Sequence, residues 1–243
     1  MTRLAAATWP EVEAYLKKSD VLLLPIGSTE QHGPTGLLGT DHLTADAIAR
    51  EVATRTGALV APPVCYGMAS HHMAFAGSVT LRPSVYQAMM AEILRSYYHH
   101  GFRKFHVVNG HGGNEPSMRA VFQELKHEGL EGASFHFYNW WKLPEVARLA
   151  DELYGEREGF HATPSEVSLT FFLEGIESRP YDFKARSDID EKGFNWPVTA
   201  VECRKIFPDG AMKSDPGLAR RAHGELFLKA AVESIAASVK ERR

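Results

Sequence analysis

Short apolar runs alternate along this chain with segments of helical periodicity, and that alternation constrains the fold more than any other feature. Val21–Ile26 (VLLLPI) and Leu59–Val64 are continuous apolar runs, and Lys104–Val108 (KFHVV) and Ser134–Asn139 (SFHFYN) are rich in β-branched and aromatic residues. Runs of this length and composition read as strands buried on both faces. Between and after them, Ala45–Thr56, Pro83–His100 and Asn114–Glu128 carry apolar residues at helical spacing and end before Gly57, Gly101 and Gly129. A proline in the first turn of the second helix and a glycine just past each end are the usual helix boundaries. Strand–helix alternation predicts an α/β fold, a three-layer sandwich around a mostly parallel sheet.

Beyond Trp141 the pattern loosens. Pro144–Tyr154 and Ser165–Glu174 read as helices, and Asp215–Lys240 reads as a long terminal helix with Asp215 and Pro216 as cap and first turn. The stretch Glu177–Ala211 reads as irregular and is long for a loop in a compact domain. At roughly 150 residues per domain, 243 residues allow one large domain or two small ones. With no repeat and no Pro-, Gly- or Ser-rich linker, a single domain over residues 1–243 is the expectation.

Composition excludes several classes. A hydrophobic fraction of 44% and a charged fraction of 23% are those of an ordinary globular chain. Net charge is −3 and no Lys/Arg block tracks a phosphate backbone, so nucleic acid is not an expected partner. Two cysteines far apart, Cys65 and Cys203, make neither a disulfide framework nor a CxxC zinc signature. There is no signal-peptide pattern, and the longest aliphatic run is far below the ~20 residues that cross a bilayer. The expectation is a soluble cytoplasmic protein with no membrane partner.

Ligands of open parallel sheets bind beyond the carboxyl ends of the strands. The first strand is followed by GSTEQHGPTGLLGTD, with Glu30, His32 and Asp41. The second is followed by YGMASHH, with Ser70, His71 and His72, and the third by NGHGGN, with His111. Between two later helices comes GFHATPSE, with His161 and Glu166. Glu30 and His32, two apart in an extended segment, point the same way. Carboxylate and imidazole donors suit Zn²⁺, Mn²⁺ or Fe²⁺, and an Asp carboxylate can bridge two such ions about 3.5–4 Å apart. That is the chemistry of metal-assisted hydrolysis.

The segments GSTEQHG…LGTD, YGxxxHH…F, VVNGHGGN and HATPSE, together with the C-terminal SDPGLARRAHGELFLKAA, resemble the creatininase family of binuclear metal hydrolases. The resemblance spans roughly residues 20–235. It implies two divalent ions (Zn, Mn or Fe), with Glu30, Asp41 and His111 on one, and His32, the bridging Asp41 and Glu166 on the other. It implies that a metal-bound hydroxide attacks a small amide or cyclic amide while His161 handles protons, with Glu166 beside it in the catalytic set. Ser70, His72, Gly112 and Trp141 are expected to contact substrate. A homo-oligomer, a hexamer by family resemblance, is expected, and the Glu177–Ala211 stretch is a candidate for packing on a neighbour.

The chain also departs from the pattern. Where the family's type enzyme has Tyr-Glu after the third-motif histidine, this chain has Gly112 and Gly113; where that enzyme has a tryptophan four residues before the proton-handling histidine, it has Arg157. A flat creatinine ring therefore fits poorly and another substrate is expected. Deformylases of formamides, peptide-trimming enzymes and hydrolases of cyclic inositol-derived ketones share the scaffold, and a non-catalytic metal-binding protein is the alternative of another class. Simpler roles exist for single residues. Asp41 has the position of a helix N-cap, Glu166 that of a first-turn carboxylate, and NGHGGN could cradle a phosphate although GK[ST] is missing. One of His71 and His72 is expected to line the pocket, and one of Trp140 and Trp141 to belong to the core.

Overall fold

A computed structural model describes residues 2–182 and 197–242. Four strands, β1 (Val21–Ile26), β2 (Leu59–Val60), β3 (Lys104–Asn109) and β4 (Ser134–Asn139), form one sheet in the order β2-β1-β3-β4, every neighbouring pair parallel. The expected α/β sandwich is therefore the fold.

Period-two alternation sorts the core. Val21 and Leu23 of β1 face one side, where they pack with Ile48, Val52, Leu169, Phe227 and Ile235. These residues belong to α2 (Thr40–Thr56), α6 (Pro164–Glu174) and α8 (Arg221–Glu241). Leu22, Leu24 and Ile26 face the other side, against Tyr86, Met90, Leu94, Met118 and Val121. Those belong to α3 (Pro83–His100) and α4 (Glu115–His127). All six residues of β1 are buried, as expected of a central parallel strand covered on both faces. α5 (Pro144–Tyr154) adds Val146 and Ala150 to the first face.

Several boundaries differ from expectation. β2 stops at Val60 because Pro62 and Pro63 carry no N–H for the ladder, and Val64 returns as an isolated bridge to Ile26. α1 (Trp9–Leu16) was not expected, although Thr8 and Glu11 form a capping box at its start. The terminal helix begins at Arg221 instead of Asp215. Asp215 caps a separate short turn, Pro216–Leu218, and the backbone is extended at Ala219 and Arg220. Within the stretch expected to be irregular lies α7 (Ala200–Ile206), with its own capping box of Thr199 and Glu202. Residues 183–196 of that stretch lie outside the described residues. Among the described residues no helix is long and apolar enough to cross a membrane.

α2 begins at Thr40, so Asp41 is not its N-cap; Gly39 holds that place and Asp41 lies in the first turn. That turn sits against the carboxyl ends of β1 and β3 with no room for a side chain between. A Cβ at Gly27 would lie 2.4 Å from the backbone nitrogen of His42, and one at Gly110 would lie 2.0 Å from the carbonyl oxygen of Asp41. Glycine is thus required at both strand ends for α2 to deliver Asp41 to the sheet's rim.

Gly110→Ala should lower the unfolding free energy by about 1–3 kcal/mol, the usual penalty of overpacking. Gly112→Ala, whose Cβ would meet nothing nearer than Trp141 at 3.8 Å, should cost much less. Urea titrations of the two variants check this, and equal midpoints would show that the β3 end can relax away from α2.

Candidate metal centre

The residues that follow β1 carry two inward side chains. The segment stays extended, with Thr29 bridged to Val79 and the Glu30 N–H donated to the Leu38 carbonyl at 2.9 Å. Glu30 and His32 are each 1% exposed, Asp41 2% and His111 5%. Four ionisable groups this deep demand partners, since burying an unpaired charge costs several kcal/mol.

The partners are one another. Asp41 Oδ1 lies 3.0 Å from His32 Nε2, and Asp41 Oδ2 lies 3.3 Å from His111 Nδ1. Glu30 Oε1 lies 3.2 Å from His111 Nδ1. Glu166 Oε2 is 3.8 Å from His32 Nε2. The first-turn role of Glu166 is real as well: its Oε1 accepts from the Thr163 N–H at 2.6 Å, closing a capping box. One carboxylate oxygen serves the helix and the other faces the cluster.

Each imidazole has one nitrogen beside a backbone carbonyl and turns the other toward the carboxylates. His32 Nδ1 donates to the Glu30 carbonyl at 3.1 Å and His111 Nε2 to the Met68 carbonyl at 3.0 Å. An imidazole anchored in this way offers its free nitrogen as a ligand in a fixed orientation. Glu30 Oε2, His32 Nε2 and Asp41 Oδ2 are buried without a hydrogen bond of ordinary geometry. Glu30–Asp41–His111 and His32–His161–Glu166 each bring three donor atoms within 4.8 Å of one another, and Glu30–His72–His161 is a third such group. Bonds of ~2.0–2.1 Å in a tetrahedral shell place neighbouring ligands about 3.3 Å apart, which matches the 3.2 and 3.3 Å separations around His111. Oxygen and nitrogen donors without sulfur suit zinc, manganese or iron(II). The residues present therefore fit divalent cations.

Without a cation, protons take its place. Burial opposes charge on His32, but Asp41 and Glu166 overcome it and push the imidazole up to about 10. Burial likewise opposes charge on His111, and Glu30 and Asp41 raise it well above the ordinary range. The reverse holds for Asp41, whose carboxyl is raised by burial and lowered further by the two imidazoles, for a net depression. Glu166 is pushed up to about 7 by burial, against the pull of His32. His161 is driven well down, by burial first and then by the positive charge on His32.

Above the cluster is a cavity of about 250 Å³. Glu30, His111, Gly112 and His161 line it, with both His71 and His72, so the choice between those two histidines does not arise. Ser70 opens the short turn Ser70–His72; it is exposed and stands outside the lining, whereas His72 is buried. Trp140 is fully buried, whereas Trp141 stands behind Gly112 and outside the lining. Arg157 pairs with Asp215, away from the lining. Gly113, Phe160 and Met212 also line the cavity and were not expected. Phe160 adjoins His161 in sequence and could have been suspected. Met212 comes from a distant loop, and no local signal marks it. Met212 and Ala162 both have positive φ (50° and 52°), so unusual backbone conformations flank the site.

Residues 5–239 match the family model for creatininase, creatinine amidohydrolase. The chain belongs to the creatininase family. It is 29% identical to a creatinine amidohydrolase of Pseudomonas putida over 96% of this chain and 94% of that one. It is 37% identical to a mycofactocin precursor peptide peptidase of Mycobacterium ulcerans over 84% and 82% of the two. A solved manganese creatininase superposes with a TM-score of 0.79 at 26% identity, covering 99% of this chain and 98% of that one. The chain is accordingly a metal-dependent amidohydrolase of this family, and the cluster under the cavity is its candidate metal centre.

The protonated imidazoles give the metal-free protein a definite pH dependence. His32 and His111 are raised above their unfolded value of ~6.5, so their contribution is complete below that pH and is lost as pH rises, through about 10 for His32. Glu166, raised to about 7, acts in the same direction at the lower end of that window. Chelator-treated protein should therefore resist urea better at pH 6.5 than at pH 9.5, and added Zn²⁺ should reduce the difference. Equal or greater stability at pH 9.5 without metal would rule out protons as the stand-in for the cation.

Proposed function

We propose that this chain, acting as one domain over residues 1–243, is a binuclear hydrolase of a small amide or cyclic amide other than creatinine. The observation that carries the reading is the divergence of the two Asp41 oxygens. One faces His32 and the other faces His111. A carboxylate so placed can serve two ions at once, with Glu30 and His111 completing one set and His32 and Glu166 the other. Divalent ions held there would supply Lewis acidity, polarising a carbonyl and easing the deprotonation of a nearby water near neutral pH.

The remaining chemistry belongs to side chains. His161 lines the cavity beside Glu30, its Nδ1 3.7 Å from Glu30 Oε1. A neutral imidazole there can take the proton of the attacking water and deliver it to the leaving nitrogen, without which an amine leaves poorly. His72 and Gly112 border the substrate's space, with Trp141 behind Gly112 and Ser70 at the rim. With no side chain at Gly112 and with Arg157 drawn to Asp215, the cavity lacks a flat wall at those two positions, which supports a substrate of another shape. The donor set equally admits zinc, manganese and iron(II). We further propose a cytoplasmic homo-oligomer, for which a hexamer is the specific expectation. Sedimentation of a 27 kDa species at micromolar concentration would refute that part.

Elemental analysis of protein purified without chelator should find two divalent ions per chain, and a panel of small amides should find turnover. Protein that neither carries metal nor takes it up would overturn the reading in favour of a role without metal. Asp41→Ala should abolish activity more completely than His32→Ala, because a bridge serves both ions. His161→Ala should keep both ions and lose about 10²–10⁴-fold in kcat. Loss of metal in that variant, with activity restored by excess metal, would make His161 a support of the metal shell instead.

A further inference from the structure

Gln31 lies between Glu30 and His32 and is 5% exposed. Its amide orientation follows from two backbone groups of fixed polarity. Oε1 accepts from the Gly33 N–H at 2.8 Å, and Nε2 donates to the Gly210 carbonyl at 3.0 Å. A flipped amide would set acceptor against acceptor and donor against donor. Gly210 is built for this contact: with φ +78°, a Cβ there would lie 2.1 Å from Gln31 Oε1.

The second hydrogen on Nε2 has two candidate acceptors, His72 Nδ1 at 2.9 Å and His161 Nε2 at 3.0 Å. His161 Nε2 is also 2.7 Å from the Gln31 backbone carbonyl, which can only accept. That contact needs a hydrogen on His161 Nε2, so the nitrogen cannot also accept from the amide. The amide hydrogen therefore goes to His72 Nδ1. A ring nitrogen that accepts carries no proton of its own, so His72, buried at 1% exposure, is in a neutral form. With Nδ1 accepting, its one proton is on Nε2, 3.5 Å from Glu30 Oε1. For His161 the main chain fixes the proton on Nε2, so in the neutral ring the bare nitrogen is Nδ1, 3.7 Å from Glu30 Oε1. The two rings stack with centroids 4.2 Å apart and planes 25° apart.

We propose that Gln31 is a positioning residue that makes this stacked pair present opposite polarities to the cavity, an N–H donor from His72 and a lone pair from His161. The side-chain amide sets the first and the backbone carbonyl sets the second. The donor suits an oxygen that gains negative charge, such as the carbonyl oxygen of an amide under attack, and the lone pair suits the proton carrier. The catalytic meaning rests on the amidohydrolase reading above; the proton positions do not.

Long-range ¹H–¹⁵N spectra of histidine-labelled protein distinguish the two neutral tautomers and are recorded without substrate, with Zn²⁺ bound and after chelation. His72 and His161 should both be Nε2–H in the wild type. In Gln31→Glu the carboxylate cannot donate, so His72 should move to the Nδ1–H form while His161, held by the main chain, stays as it was. The same variant should lose about 10–100-fold in kcat with its metal content unchanged, the usual effect of removing a partner that orients a site. If Gln31→Glu does not fold, Gln31→Met, which keeps the length of the side chain, should leave His72 as a mixture of tautomers. A wild-type His72 in the Nδ1–H form, or a His72 that ignores both substitutions, overturns the proposal whatever the fate of the substrate screen. Correct tautomers without amide turnover would instead leave it standing and remove the functional reading.

Discussion

The rest of the site depends on one buried carboxylate held where a helix meets two strand ends. Asp41 is in the first turn of α2, and the backbone of that turn touches Gly27 and Gly110 so closely that no Cβ could intervene. The contact makes the position of Asp41 a property of the sheet and not of a loop. Its favourable place near a helix N-terminus is a further, smaller contribution, of order 0.3–1 kcal/mol. What keeps it ionised at 2% exposure is the pair of imidazoles on either side, supplied by the segment after β1 and the segment after β3.

This arrangement explains why the histidines carry their second anchors. An imidazole facing a carboxylate could rotate or choose either tautomer. His32 and His111 are denied that choice by the Glu30 and Met68 carbonyls. Both carbonyls belong to the segments that follow β1 and β2, outside the ladder of the sheet, and are thus available as acceptors. The same economy appears in Glu166, whose two oxygens divide between capping α6 and facing His32. A glutamine there could still cap the helix through its oxygen, but it would bring a neutral group to the cluster.

Much of this was legible in the sequence because the signals are local. Short apolar and aromatic runs marked the strands, and the segments after the first and third carried Glu30, His32, Asp41 and His111. The capping box of Thr8 and Glu11 at the start of α1 is an equally local signal. What the sequence could not disclose is contact between distant segments. Met212 reaches the cavity from a loop about fifty residues beyond His161, with no periodicity to announce it. Gln31 was hidden for another reason: strand alternation turns it away from the ligands on either side, and its partners, His72, His161 and Gly210, come from three separate segments. Ser70 and His72 differ in burial because the tight turn they share rotates successive side chains by about 120°, and His72 is the one that is buried.

The two glycines after His111 differ in what they permit. At Gly113 a Cβ would strike His111 Nε2 at 2.4 Å and the Met68 carbonyl at 2.5 Å, the very hydrogen bond that anchors the ring. A side chain there requires His111 to find a new anchor, so a carboxylate cannot be restored at that position by substitution alone. At Gly112 the space is open up to Trp141. In this chain the bare Gly113 and the anchoring of His111 on Met68 go together, and Glu166 is the carboxylate nearest His32 after Asp41 among the described residues. The cavity is open on the Gly112 side, and Phe160 and Met212 stand among its other walls.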